Sequence, residues 1–323
     1  MQKMSINPTR QRLQGPTMGT QWSVVLDGLA ARKTNSVQIA LQQAVQEVDD
    51  QMTTWRATSD LMRLNAAPLG RWIDLPPQLM RVLAEGLAIS RVTDGAFEMN
   101  LGEAVAAWGF GASAIHLGHI REASHATRIR ATDGLQLDEI RCRALKTAQL
   151  TLDLSGIAKG YGVDRLAEVL AGFGIGSALC AIDGELRALG TQADGTPWAV
   201  AVETPDSDRH LPHSYVALAD GAVATSGDYR HFVTVKGHRL SHTIDPLRRA
   251  PLIAAPASVS VLAQSCMQAD AMATALMVMG VDAGQAYARE NGISALFLRR
   301  ADEGVVAHGV GMFCDQKSLA RRP

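Results

Sequence analysis

The segment TLDLSGIAKGYGVDRLAEVL, residues 151–170, reads as a strand, a tight loop and a helix in succession. Residues 151–154 alternate polar and apolar side chains, as a half-buried strand does. Residues 155–162 then supply small side chains and the glycines Gly156, Gly160 and Gly162, which suit a bend or a close backbone approach. From Val163 the apolar positions Val163, Leu166, Ala167 and Leu170 share one helical face, and Gly172 and Gly174 are expected to end the helix. Asp153 and Lys159 are the side chains of this loop able to hold charge. A glycine-rich turn that opens a helix and carries a lysine suits a phosphate, because free N–H groups and the helix dipole both favour an anion. The segment matches neither the Walker pattern nor the dinucleotide fingerprint, so an ordinary strand-to-helix turn stays open beside the anion site.

Working outward, GPTMGTQWSVVLDG (15–28) is a turn followed by a strand with Trp22, Val24 and Leu26 on one side. Val37, Leu41, Val45, Val48 and Met52 recur at helical spacing and lead into MTTWRATSDLMRLN (52–65), which reads as a capped helix start packed by Trp55. Pro76 and Pro77 open a further helix with Leu79, Val82, Leu83 and Leu87 on its buried side. It should stop near Asp94 and Gly95, where DGAFEMNLGEAVAAWGFG (94–111) begins. That segment is expected to be more loop than element, with a carboxylate at Glu98 and exposed aromatics at Trp108 and Phe110. Residues 112–138 look polar. Their His116 and His119 lack a third ligand nearby and, with His125, read as solvated histidines.

Beyond residue 170, several alternating runs joined by Asp-Gly and Lys-Gly turns have the signature of antiparallel hairpins. A long helix is expected from Cys266 to Gly280, followed by strands at 295–299 and 305–313. Helices interrupt groups of hairpins instead of alternating with single strands. The fold class is therefore α+β, with largely antiparallel sheets and flanking helices. No internal repeat and no linker separates domains, so residues 1–14 read as a tail and 15–323 as a single domain.

Composition narrows the function. The chain has 323 residues, 47% hydrophobic and 20% charged, enough for a sizeable core. Lys plus Arg number 31 against 32 for Asp plus Glu, a balance that argues against nucleic acid or an anionic membrane surface as the main partner. No apolar run approaches the roughly 20 residues needed to cross a bilayer. No export signal is visible at the start of this sequence, which reads as cytoplasmic unless a leader has been removed. Cys142, Cys180, Cys266 and Cys314 are scattered without a CxxC, which fits reduced thiols better than zinc or a disulfide framework.

Two further features carry chemistry. Asp270 and Thr274 lie four residues apart on one face of an otherwise Ala- and Met-rich helix. A buried aspartate needs a hydrogen bond, an ion pair or a metal. Asp270 capping a neighbouring loop is one reading. A hard cation held by carboxylate, hydroxyl and a backbone carbonyl is the other, and Mg²⁺ suits that set. In LSHTIDP (240–246), His242 stands on a strand end beside Asp245 and a proline-fixed turn, which makes it the candidate general base.

Taken in order, MGT (18–20), MTTWRATSDLMRLN, DGAFEMNLGEAVAAWGFG, DLSGIAKGYGVDRLAEVL, VATSGDYRHF, SHTIDP and ADAMATALMVMG resemble the ApbE family of FAD:protein FMN transferases across nearly the whole chain. The resemblance implies an α+β protein built from duplicated T-fold units, two intimately packed halves with flavin between them. It implies Mg²⁺-dependent transfer of the FMN moiety of FAD to a Thr or Ser hydroxyl of an acceptor flavoprotein carrying a D-x-x-[ST]-[AGS]-A-T segment, with release of AMP. Alternatives within the same resemblance are an FAD diphosphatase giving FMN and AMP, and a non-catalytic FAD-binding protein. By motif, Gly156, Asp270 and Thr274 would hold the metal, and Asp153 and Lys159 would touch FAD. Met18, Trp55, Ala96, Phe97, Glu98 and Ile244 would line flavin or adenosine, and His242 would deprotonate the acceptor hydroxyl. Two departures stand out: Glu98 follows DGAF where the family often has aspartate, and Asp183-Gly184-Glu185 replaces the usual Gly-Gly-Asp turn. Many relatives are exported or lipid-anchored, so the resemblance allows a periplasmic or inner-membrane-associated place.

Overall fold

The computed structural model describes residues 10–111, 117–125, 128–205, 211–228, 232–235, 238–253, 255–301 and 304–318. Its centre is an eight-stranded sheet in which every neighbouring pair is antiparallel. The strands run in the order Gln11–Thr17, Thr20–Leu26, Ala178–Ile182, Glu185–Leu189, Gly221–Gly227, Ser258–Ala263, Ser294–Ala301 and Gly304–Val310. The α+β class expected from the hairpin pattern is what is observed.

The period-2 pattern assigns the two faces of this sheet. Trp22, Val24 and Leu26 stand opposite Ile182, Cys180 and Ala178, and all six are fully buried beneath Val163, Leu166 and Leu170 of the Ala158–Gly172 helix. Further along, Val259, Val261, Ala295 and Phe297 meet Ala273, Leu276 and Met277 of the Cys266–Glu290 helix. The alternate residues, among them Val25, Leu186, Val223, Leu296 and Leu298, cover the opposite face against Trp198, Val200, Val216 and Phe313. Trp198–Glu203 and Pro212–Leu218 form a separate two-stranded sheet over that face. A second layer packs on the outer side of the two helices. There Leu61, Leu64, Leu79, Phe97, Leu152 and Leu154 enclose Tyr161, Met267, Ala271 and Ala275. The helix pair is thus sandwiched between the sheet and the segment that runs from residue 53 to 157. Each of the two helices is followed by a hairpin of the central sheet, 178–189 in one case and 294–310 in the other.

Several expectations need correction. Residues 11–14, placed in a tail, form the start of the first strand, with Gln11 opposite Leu26. Residues 151–154 alternate in burial as expected but pair with no strand. Their amides are met by side chains and one carbonyl: Thr151 N donates to Asn100 Oδ1 at 2.8 Å, Leu152 N to Asn65 Oδ1 at 2.7 Å and Asp153 N to Met99 O at 2.8 Å. The helix begins at Ala158, five residues before Val163, so Lys159, Gly160 and Gly162 lie inside it and not in a loop. Trp55 does not pack the helix start that follows it and is 66% exposed, while the expected cap is present, with Ser59 Oγ accepting from Met62 N at 3.1 Å. Trp108 is half-buried, its indole N–H donating to Arg249 O at 3.1 Å. Asp220-Gly221 joins strands of different sheets, so it is no hairpin turn. The helix expected to end at Gly280 is kinked there, at φ 79° and ψ −177°, and continues to Glu290. His119 is exposed, whereas His116 lies outside the described residues. Among the described residues, no helix is long and apolar enough to cross a membrane.

Candidate active site

The site lies where the first turn of the Ala158–Gly172 helix meets the Cys266–Glu290 helix. Close approach is made possible by Gly160. A Cβ there would collide with Cys266 O and fall 2.7 Å from Asp270 Cβ. Across this contact Gly160 N donates to Asp270 Oδ2 at 2.9 Å, so the aspartate caps the neighbouring helix. Asp270 Oδ1 makes no hydrogen bond to a described residue. One turn further on, Thr274 faces Gly156. A Cβ on Gly156 would lie 3.1 Å from Thr274 Oγ1, and that hydroxyl also meets Ser226 Oγ at 3.1 Å. The residues expected to hold a cation, Gly156, Asp270 and Thr274, are therefore brought together from segments more than a hundred positions apart.

Lys159 reaches across to the turn between two central strands, 2.9 Å from Glu185 Oε1 and 3.4 Å from Asp183 Oδ2. Asp183 sits in that turn at φ 54°, in the left-handed region that favours glycine. Burial disfavours the Lys159 charge, but Glu185, Asp270 and Asp183 together outweigh it and hold the ammonium above its ordinary value of 10.5. Burial drives the carboxyl groups the other way: Asp270 is pushed up to about 6 and Glu185 up to about 7, each partly offset by Lys159. Glu185 Oε2 is buried without a hydrogen-bond partner. Among the described residues, Lys159 is the cation that faces both buried carboxylates, Glu185 and Asp270, an arrangement that a second cation would relieve. The available donors, a carboxylate oxygen, a hydroxyl and a backbone carbonyl, are the hard oxygens that Mg²⁺ takes, so the residues present fit the ion.

The other candidates are placed as follows. Met18, at φ 45°, and Gly19, at φ 71°, form a two-residue hairpin turn whose backbone twist only the mirror-image turn types supply. Met18 Cε lies 3.2 Å from where a Gly162 Cβ would stand. Phe97 is 3% exposed, its ring 3.5 Å from the same imagined Cβ on Gly156, so it supports the turn from behind. Ala96 packs against the outer core. Glu98 turns inward: Oε1 accepts from Asn100 N at 2.7 Å and Ala131 N at 3.0 Å, and Oε2 is buried without a partner. Oε1 thereby ties the 98–100 turn to the start of the Ala131–Gly134 helix. Asp153 Oδ1 accepts from Ser155 N at 2.9 Å, and burial pushes its carboxyl above the ordinary range. Ile244 is buried in a short ladder opposite Pro251. His242 is half-buried with Phe110 edge-on at 6.3 Å between ring centroids. Trp55 stands out into solvent on a loop tied by Ser59 Oγ to Thr53 O at 2.7 Å and by Arg56 to Asp49 at 3.0 Å.

Sequence reasoning passed over three residues and named Glu185 only as a departure from the usual turn. Ser226 follows Thr225 at the end of a strand that opens with Gly, Ala and Val, where a polar pair was a usable signal. Asn65 and Asp164 act through partners distant in the chain, which no local pattern shows.

An antiparallel sheet backed by two helices that meet at a carboxylate, a hydroxyl and a glycine turn makes this an α+β protein, not a doubly wound one. Residues 18–297 match the ApbE family, and the chain belongs to that family. It is 36% identical over 306 residues to an FAD:protein FMN transferase of Vibrio cholerae, covering 93% of this chain and 91% of the relative. The fold is similar to that of the flavin transferase ApbE from Vibrio cholerae, with a TM-score of 0.83 and 33% identity over 96% of this chain and 99% of the other. The apo form of the flavinyl transferase ApbE from Pseudomonas stutzeri superposes with a TM-score of 0.84, also at 33% identity, covering 95% and 96% of the two chains.

Proposed function

We propose that this chain is an FAD:protein FMN transferase, moving the FMN moiety of FAD to a Thr or Ser hydroxyl of an acceptor flavoprotein and releasing AMP. The observation that carries the reading is the convergence of Asp270, Thr274 and Gly156, with Gly160 N fixing the carboxylate at 2.9 Å. Asp270, Thr274 and the Gly156 carbonyl would hold Mg²⁺, which when bound supplies charge neutralisation and polarises the phosphate oxygens.

The chain's own residues supply the rest. An alcohol is a weak nucleophile at neutral pH, so His242 takes its proton as the oxygen attacks the phosphorus on the FMN side of the pyrophosphate. The bond to the bridging oxygen breaks, and AMP departs with the electron pair. Lys159 offers the pyrophosphate a charge that its neighbouring carboxylates keep fully protonated. Trp55, exposed on its loop, and Met18 would lie against the flavin or adenosine ring, and the acceptor segment carrying the D-x-x-[ST]-[AGS]-A-T pattern would bring its hydroxyl to His242.

The test is incubation with FAD, Mg²⁺ and an acceptor domain, followed by denaturing gel fluorescence and nucleotide chromatography. Flavin fluorescence that survives denaturation, with equimolar AMP, is the expected result. Free FMN and AMP without labelled acceptor would make the chain a diphosphatase, and no AMP at all would reject turnover.

A further inference from the structure

The two helices at the site cap each other. Asp270 of one helix accepts from Gly160 N of the other at 2.9 Å. In return Asp164, fully buried on the Ala158–Gly172 helix, accepts from Cys266 N through Oδ1 and from Met267 N through Oδ2, both at 2.9 Å. The spacing is the same on each side. Gly160 precedes Asp164 by four residues, as Cys266 precedes Asp270, so each helix offers its partner an amide and a carboxylate one turn apart on one face. The remaining amides at the start of the Cys266–Glu290 helix are also met: Gln268 N donates to Ser265 Oγ at 3.2 Å and Ala269 N to Ser265 O at 3.1 Å.

The symmetry breaks in how far each carboxylate is used. Both Asp164 oxygens are taken, and Oδ1 receives a second bond, from Arg187 Nη1 at 2.6 Å. Asp270 spends only Oδ2 on its cap. Asp164, with three donors on it and no exposed surface, holds geometry out of a ligand's reach, while Asp270, with an oxygen to spare, can do both.

We propose that Asp164, braced by Arg187, is a positioning residue for the cation site, fixing the register of the two helices so that Asp270 and Thr274 stand against Gly156. The inference rests on the cation reading given above and extends it to a residue that touches neither metal nor substrate. Asn at 164 cannot accept from both amides and the guanidinium together, because its nitrogen is a donor facing donors. The helix start then shifts, and Asp270 with it.

The experiment compares wild type, D164N, D164A and D270A by Mn²⁺ binding followed by electron paramagnetic resonance, FAD binding by fluorescence quenching without metal, and thermal unfolding. D164N is expected to unfold cooperatively and bind FAD within about twofold of wild type while losing about tenfold or more in Mn²⁺ affinity, the range typical of groups that orient a ligand. Mn²⁺ affinity within about twofold of wild type in D164N would overturn the proposal. So would parallel loss of FAD binding, Mn²⁺ binding and cooperative unfolding in both Asp164 variants, which would make the residue a general structural support. If D270A binds Mn²⁺ as wild type does, the cation site itself is misassigned and the proposal falls with it, an outcome that leaves its own signature in a different variant.

Discussion

Asn65 does for Leu152 what a neighbouring strand would do: its Nδ2 donates to Leu152 O at 2.9 Å and its Oδ1 accepts from Leu152 N at 2.7 Å. Two backbone groups of a buried, unpaired segment are satisfied by one side-chain amide, and the segment leads directly into Asp153 and the Gly156 turn.

Replacing Asn65 with leucine should leave both groups unpaired, at a cost of roughly 1–3 kcal/mol for each. The expected outcome is a lower urea midpoint with an unchanged slope, together with weaker divalent-cation activation. Urea unfolding followed by tryptophan fluorescence checks the first, and a Mg²⁺ titration of AMP release checks the second.

Gly160→Ala should drive the helix pair apart, because the added methyl meets Cys266 O and Asp270 Cβ. Overpacking of this kind costs about 1–3 kcal/mol. Gly172→Ala is the control: nothing lies within 4 Å of its Cβ position, so a gain of about 0.5 kcal/mol is expected from the less flexible unfolded chain. Equal effects of the two substitutions in calorimetric melting would contradict the close-approach argument.

For Asp270→Ala, metal-dependent AMP release should fall by more than about 100-fold, beyond the usual effect of an outer partner, with FAD binding retained. His242→Gln should leave FAD and cation binding intact and lower acceptor labelling by about 10²–10⁴-fold, the range for loss of a general base. Labelling at the wild-type rate in either variant would remove that residue from the mechanism.

Lys146 gives a prediction about stability alone. Its side chain is buried, donating to the carbonyls of Asn65 and, at 3.4 Å, Leu150, and burial lowers its pKa from 10.5. Between the lowered folded value and 10.5 the unfolded chain binds more protons, so stability rises with pH through that window and is lost as pH falls through the folded value. Lys146→Met should flatten this alkaline rise, as measured by urea unfolding at pH 8 to 10.5. A wild-type curve already flat there would show that the buried group keeps its ordinary proton affinity.

The helices and the class of fold were legible because their signals are local. Val37, Leu41, Val45 and Val48 repeat at the helical period, and all four are fully buried. Trp22, Val24 and Leu26 alternate at the strand period, and these three are fully buried as well. The order of the motifs likewise pointed to Gly156, Asp270 and Thr274 before any contact between them was visible.

What the amino-acid order determined alone is most of the helices and central strands, the family and the chemistry of the donors, since periodicity, turn residues and side-chain type are properties of neighbours in the chain. Where the site's helix begins, why residues 151–154 stay unpaired, and which carboxylate keeps a free oxygen were decided only in three dimensions. Those outcomes depend on bonds such as the one from Gly160 to Asp270, 110 positions apart, which form only when packing of the helix pair brings an unsatisfied amide to a buried acid.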